Sequence, residues 1–254
     1  MKLFIMDGGE IRNPNKGMLT PGRDDGVPIT IPVSMYLIDH PNGLTVVDAG
    51  LNKHNWPEQY KGDTDAGTEQ QLDRQIEKLG YNPKDVKYVI MSHYHIDHTG
   101  GMSLLPGAVF IVRRSELQMA WWPPSRELGA YSLIYPDYKD TRMYEYIELD
   151  DDVAYDVFGD GSVICIDTRG HSRGHQSVIV NLPETGKVVL ALDAASLREN
   201  IDDNLYPGTH CWDKELGLKS IEKLRKLRDE GALVILGHDP EQWHTLKKAP
   251  DFYR

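Results

Sequence analysis

The stretch Met91–Gly101, MSHYHIDHTGG, places three histidines and an aspartate within six residues and closes on paired glycines. Imidazole nitrogen and carboxylate oxygen are natural ligands of zinc-like ions, and a closed site takes about four of them. The apolar run VKYVIM (86–91) reads as a buried strand that delivers the cluster into a glycine-closed loop. In extended backbone, residues two apart point the same way. His93 and His95 can therefore grip one ion, while Asp97 and His98 can face a second. Two ions need further ligands. The chain offers His171 in TRGHSRGH, Asp193 in LALDAA and His238 in LGHD, each at the end of an expected strand. His175, four residues beyond His171, competes with it as a ligand. His40, His54, His210 and His244 stand alone and read as surface or hydrogen-bonded residues.

Working outward, SMYLID (34–39) and GLTVVDAG (43–50) read as strands about a turn at HPNG. Residues 10–30, rich in Pro, Gly and Asp, read as an extended loop. TEQQLDRQIEKLG (68–80) has the pattern of a helix with a Thr68/Gln71 capping box, an apolar stripe of Leu72, Ile76 and Leu79, and Gly80 as its stop. The second half follows the same grammar. VICID (163–167), QSVIVNL (176–182) and KVVLALDAA (187–195) read as strands. A helix is expected over about 213–229, carrying Ile221, Leu224 and Leu227 inward, and then the strand ALVIL (232–236). Each half thus holds a strand ending in Asp, a helix and a strand ending in His: Asp48 to His93, then Asp193 to His238. This echo predicts one domain, 1–254, of two β-rich halves (roughly 1–140 and 141–254) packed face to face, with helices outside.

Composition limits the partners. Lys and Arg number 28 against 39 Asp and Glu, a net charge of −11, which repels phosphate backbones and argues against nucleic acid. The two cysteines, Cys165 and Cys211, form no CxxC, so neither a thiolate zinc site nor a disulfide framework is expected. The N-terminal apolar run is too short for a signal-peptide core, and no segment reaches membrane-spanning length. A cytoplasmic protein is the expectation.

HYHIDH (93–98), with His171, Asp193 and His238 downstream, resembles the metallo-β-lactamase superfamily. That resemblance implies an α/β fold, an αββα sandwich of two mixed sheets flanked by helices. It also implies that His93, His95 and His171 bind one metal, that Asp97, His98 and His238 bind a second, and that Asp193 bridges them. His171 is thereby favoured over His175. Asp48 lies at a strand end the superfamily also marks with Asp, where it either orients a ligand histidine or caps a turn. Two divalent ions, zinc by default with iron, cobalt or manganese as alternatives, lower the pKa of a shared water to about 7 and make hydroxide at neutral pH. Asp97 can pass a proton to the leaving alkoxide. Hydrolysis is the expected chemistry.

LFIMDGG (3–9), IPVSMYLIDHPNG (31–43), VRRSE (112–116), YDVFGDG (155–161), GHSRGHQS (170–177) and GHDPEQWHTLKKAPDFY (237–253) extend the resemblance along the chain. It is toward N-acyl homoserine lactonases and γ-butyrolactonase-like relatives, the quorum-quenching lactonases. A small lactone is the implied substrate, and a homodimer is allowed. A glyoxalase II-type thioesterase or other ester hydrolase, and a non-catalytic metal-loaded lactone-binding scaffold, are the competing readings. Two departures stand out: Arg169 replaces the usual Pro of TPGH, and Ser196 stands where these lactonases usually have a Tyr that touches the substrate carbonyl. ELQMAWWPPSRELGAYSLIYP (116–136) supplies Met119, Trp121, Trp122, Tyr131, Leu133, Ile134 and Tyr135 in what reads as a loop. With Met18 and Leu19 these could line an acyl-chain groove, or pack the loop onto the body or a dimer face. Met18, Trp121, Trp122 and Ser196 are the candidate substrate-binding residues.

Overall fold

The computed structural model of the chain describes residues 1–254 except 14, 57 and 126, and all side chains but those of residues 59–61 and 128–131 as well. Its strands are β1 (Lys2–Asn13), β2 (Ile29–His40), β3 (Gly43–Val47), β4 (Thr64–Asp65), β5 (Val86–Ile90), β6 (Val109–Arg113), β7 (Glu145–Leu149), β8 (Tyr155–Asp156), β9 (Val163–Asp167), β10 (Gln176–Leu182), β11 (Gly186–Leu192) and β12 (Leu233–Leu236). The helices are α1 (Leu72–Lys78), α2 (Ile96–Thr99), α3 (Arg114–Trp121), α4 (Leu128–Tyr138), α5 (Arg198–Asp202), α6 (Lys214–Asp229) and α7 (Pro240–Thr245).

One sheet runs β4-β1-β2-β3-β5-β6-β7 and the other β12-β11-β10-β9-β8. Both are mixed: β3, β5, β6 and β7 run parallel, as do β11 and β12, and the remaining pairs are antiparallel. Alternation along β1 shows how the layers form. Leu3 and Ile5 face the second sheet and join Val163, Val178, Val188 and Ile235 in the core between the sheets. Phe4 and Met6 face the other way, where Leu72 and Ile76 of α1 and Met119 of α3 cover them. On the far side, Ile221 and Leu224 of α6 pack on Val189 and Ala191 of β11. The expected αββα layering is present. Among the described residues no helix is long and apolar enough to cross a membrane.

Several local expectations are corrected. The sheets change over between Leu149 and Tyr155, later than residue 140, and the tail returns to the first sheet through paired Leu3–Tyr253 backbone hydrogen bonds of 2.9 Å. The expected helix 68–80 is a 3-10 turn, Thr68–Gln70, then α1, because Gln71 is extended at φ −64°, ψ 143°. The cap is Gln70 Oε1 accepting from Gly67 N–H at 3.0 Å, not a Thr68/Gln71 box. The expected loop 10–30 is shorter, since β1 runs to Asn13 and β2 starts at Ile29. Residues 116–136 are mostly helical, forming the body of α3 and α4 with the Pro123–Pro124 pair between them; the side chain of Tyr131 lies outside the described residues.

Candidate metal centre

The site forms where strands end. Asp48 follows β3, His93 follows β5, His171 lies in the loop after β9, Asp193 follows β11 and His238 follows β12. Two of these strand ends are strained: Asp48 and Leu192, just before Asp193, have φ of 55° and 53°, in the left-handed region that non-glycine residues rarely occupy. Gly100 explains the glycines of HTGG. Its N–H donates to Gly50 O at 2.7 Å, and a Cβ there would meet the backbone of Leu51 and Asn52 at 2.2–2.4 Å. Only glycine lets α2 end so close to the loop after β3.

The expected residues come together in two sets. His93, His95, His171 and Asp193 form one, and Asp97, His98 and His238 the other, with the potential ligand atoms in each within 4.8 Å of one another. Asp193 stands between them. Its Oδ2 is 3.2 Å from His171 Nε2 and 3.9 Å from His93 Nε2, while Oδ1 is 3.0 Å from His238 Nε2 and 3.4 Å from His98 Nε2. Asp97 Oδ2 lies 3.4 Å from His238 Nε2. His95 is the N-cap of α2 rather than part of an extended run, and its Nδ1 faces His171 Nε2 at 2.9 Å.

The histidines are held from behind. His98 Nδ1–H donates to Asp48 Oδ2 at 2.7 Å, and Ser92 Oγ–H donates to the same oxygen at 2.6 Å. Ser92 Oγ in turn accepts from His93 Nδ1–H at 2.9 Å. His171 and His238 donate from Nδ1 to the carbonyls of Pro207 (3.1 Å) and Pro32 (2.9 Å). Each of these bonds fixes the ring and turns the Nε2 lone pair inward, the arrangement that metal-binding imidazoles use. Asp48 thus backs His98, and its other oxygen accepts from Ser92 N–H at 2.7 Å, a bond between two strand ends that does not cap its own turn.

The donor set fits a pair of cations. Among the described residues, His93 Nε2, His98 Nε2 and Asp193 Oδ1 are buried without a partner in hydrogen-bonding geometry, although ring nitrogens and carboxylate oxygens face one another across a few ångströms. Buried polar atoms are rarely left so. Burial, then the neighbouring imidazoles, holds His93 and His95 well below the ordinary histidine pKa, which keeps them neutral and ligand-ready. Burial also opposes charge on His98 and His238, but Asp97, Asp193 and Asp48 outweigh it for His98, and Asp193 and Asp97 push His238 up to about 9. The carboxylates thus draw positive charge into the site, which divalent ions would supply in place of protons.

His175 is not part of either set. Its Nδ1 bonds Thr168 Oγ1 at 3.0 Å, and burial pushes its pKa down to about 3. His40 stacks on Phe158 at 3.7 Å, and His54 and His244 are exposed. Arg169, in place of Pro, ties its loop to Asp151, Asp152 and Asp167 through ion pairs of 2.8–2.9 Å.

A cleft of about 790 Å³ opens over the cluster, with His95, Asp97 and His171 on its floor. Met18 lines it as expected, and so do Met119, Leu133 and Ile134. Three other candidates lie elsewhere. Trp121 packs edge-on against Tyr135 and Tyr138, Trp122 is 70% exposed with Arg142 over its ring, and neither is on the cleft wall. Ser196 is fully buried, off the wall, and its carbonyl accepts from His238 N–H at 2.9 Å. The wall instead includes Ile11, Ile31, Trp56 and Trp212, with Arg173 and His210 at its polar side. Nothing in one-dimensional pattern marks Trp56 or Trp212 as neighbours of the histidine cluster; the fold brings them there.

Residues 29–238 match the metallo-beta-lactamase superfamily. The chain is 34% identical to the N-acyl homoserine lactonase AttM of Rhizobium radiobacter, over 100% of this chain and 98% of the relative. It is 31% identical to the N-acyl homoserine lactonase AiiA of Bacillus thuringiensis subsp. kurstaki, over 99% and 98%. A solved quorum-quenching N-acyl homoserine lactone lactonase superposes with a TM-score of 0.82 at 27% identity, covering 99% of this chain and 98% of that one. An N-acyl homoserine lactone hydrolase with the product N-hexanoyl-L-homoserine at its catalytic metal centre gives 0.83 at 26%, over 99% and 98%. Fold, histidine–aspartate cluster and full-length similarity agree: this chain belongs to the metallo-beta-lactamase superfamily, on the branch of the N-acyl homoserine lactonases.

Proposed function

We propose that the chain is a hydrolase that opens the ring of N-acyl homoserine lactones or similar small lactones with the help of two divalent ions, zinc by preference for this N/O donor set. The observation that carries the reading is Asp193, whose two oxygens are divided between two buried donor sets at the floor of an apolar cleft. His93, His95 and His171 would hold one ion, Asp97, His98 and His238 the other, and Asp193 both. Ions bound there lower the pKa of water to about 7 and polarise a carbonyl.

The protein's own groups do the rest. Asp48, Ser92 and the carbonyls of Pro32 and Pro207 hold four of the five imidazoles, those of His98, His93, His238 and His171, in one tautomer, so none of these rings must reorient during turnover. Asp97, which lines the cleft, would take a proton and return it to the departing alkoxide oxygen. The apolar wall of Ile11, Met18, Ile31, Trp56 and Ile134 accommodates an acyl chain and excludes water from beside it. Free thiols at Cys165 and Cys211 suit the reducing cytoplasm. The test is pH-stat hydrolysis of a panel of lactones, thioesters and β-lactams with bound metal measured alongside. Turnover of lactones by protein with two metal equivalents supports the reading; preference for a thioester over every lactone makes the chain a thioesterase, and no turnover makes it a binding scaffold.

A further inference from the structure

Glu116, in the first turn of α3, is fully buried, yet among the described residues no cation pairs with it. Its carboxylate is instead filled by three donors. Oε1 accepts from Tyr94 N–H at 2.9 Å, and Oε2 accepts from Ser172 Oγ–H at 2.8 Å and Gly174 N–H at 2.7 Å. Tyr94 sits between His93 and His95, and Ser172 follows His171 directly. One carboxylate thus bridges the two loops that carry all three histidines of one donor set.

The second donor set is held without it. His98 leans on Asp48, and His238 leans on Pro32 O. The fit around Glu116 is tight as well. A Cβ on Gly174 would lie 2.4 Å from Glu116 N and 2.6 Å from its Cβ, so the His171 loop rests directly on the start of α3. Ser115 Oγ–H adds a bond to Arg173 O at 3.3 Å. Burying a carboxylate against hydrogen-bond donors alone is expensive, and removing it would leave two backbone N–H groups without acceptors.

We infer that Glu116 is a positioning residue that sets the spacing of His93, His95 and His171, and so tunes one of the two metal sites selectively. The inference rests on the two-metal reading of the cluster. Glutamine is the informative replacement, because its NH₂ must face either the Tyr94 N–H or the Ser172/Gly174 side and cannot satisfy both. Ser172→Ala removes one of the three bonds with little risk to folding.

Chelator competition on the zinc-loaded full-length chain reads the effect for each metal equivalent. In Glu116→Gln, one equivalent is expected to weaken about 10–100-fold, the usual effect of losing a partner behind the ligands, while the other holds within about twofold. Ser172→Ala shifts the same equivalent by less. The weakened equivalent is the one lost in His95→Ala, and adding Glu116→Gln to His95→Ala leaves the remaining one unchanged. Two equivalents weakened by the same factor, or neither weakened, overturns the positioning role. Should Glu116→Gln not fold, Ser172→Ala decides alone: a selective loss supports the role, and unchanged or evenly weakened equivalents overturn it. A wild-type chain that takes up no metal overturns the metal reading itself, which is a different result.

Discussion

The carboxylate of Asp48 lies 2.7 Å from His98 Nδ1 and holds that ring with its Nε2 pointing into the cluster. Through Ser92 the same carboxylate also reaches His93, so one buried aspartate steadies a histidine in each donor set. Asp48→Asn tests this cleanly, because asparagine tolerates the left-handed backbone at φ 55° and alters only the charge and one acceptor. The expected outcome is a loss of about 10–100-fold in metal affinity by chelator competition. Unchanged affinity for both equivalents would show that the ring is held by packing alone.

Asp193→Ala removes the side chain whose two oxygens are divided between His171 of one set and His238 of the other. Metal content, measured by elemental analysis after dialysis, is expected to fall from two equivalents to one or fewer. Retention of two would refute the bridging role.

The pH dependence of stability has a specific source outside the metal cluster. Asp137 of α4 accepts from Asn55 Nδ2–H at 2.7 Å and Thr99 Oγ1–H at 3.1 Å, but burial dominates and pushes its carboxyl up to about 6. A carboxyl whose pKa rises on folding favours the folded state below its unfolded value of about 3.9, and loses that contribution as the pH climbs through the folded value. The window is therefore about pH 4 to 6. Relative to wild type, the melting temperature of Asp137→Asn is expected to rise by a few degrees between pH 4 and pH 8. A difference that stays constant across this range would remove Asp137 as the cause.

The cleft wall makes a prediction about chain length. Trp212 lines the cleft and is 36% exposed, so Trp212→Ala removes apolar wall without opening the core. For a decanoyl substrate KM is expected to rise about 10-fold, the effect of losing one to two kcal/mol of apolar contact, with a smaller change for a butanoyl one. Trp122→Ala, which alters an exposed ring off the wall, leaves both within about twofold. The reverse ranking would move the acyl groove to the other side of α3.

How much of this was legible in the sequence depended on the kind of signal. Ligand chemistry was readable because His and Asp are the right atoms wherever they occur, and VKYVIM, VICID and QSVIVNL carry uninterrupted strand character. The line-up of Asp48, His93, Asp193 and His238 at strand ends was readable for the same reason. The Trp-Trp-Pro-Pro segment misled, since its prolines mark only the break between two helices and not a loop over the whole of 116–136. Ser196 misled differently: its place three residues after Asp193 says nothing about direction, and the chain there turns it under His238. Glu116 was invisible as a functional residue, because a glutamate in a helix's first turn ordinarily faces solvent. Its burial follows from two distant loops meeting over it, which no local pattern encodes.

Lactone opening at the two-metal site is tested by the initial rate of acid release, in a pH-stat, from N-hexanoyl homoserine lactone and a matched acyl thioester, using protein shown to hold two zinc equivalents. The lactone is expected to give a kcat/KM of at least about 10⁴ M⁻¹s⁻¹, in the ordinary enzymatic range, with the thioester well below it. A thioester cleaved faster than any lactone, or an inert two-zinc protein, would contradict lactone opening there.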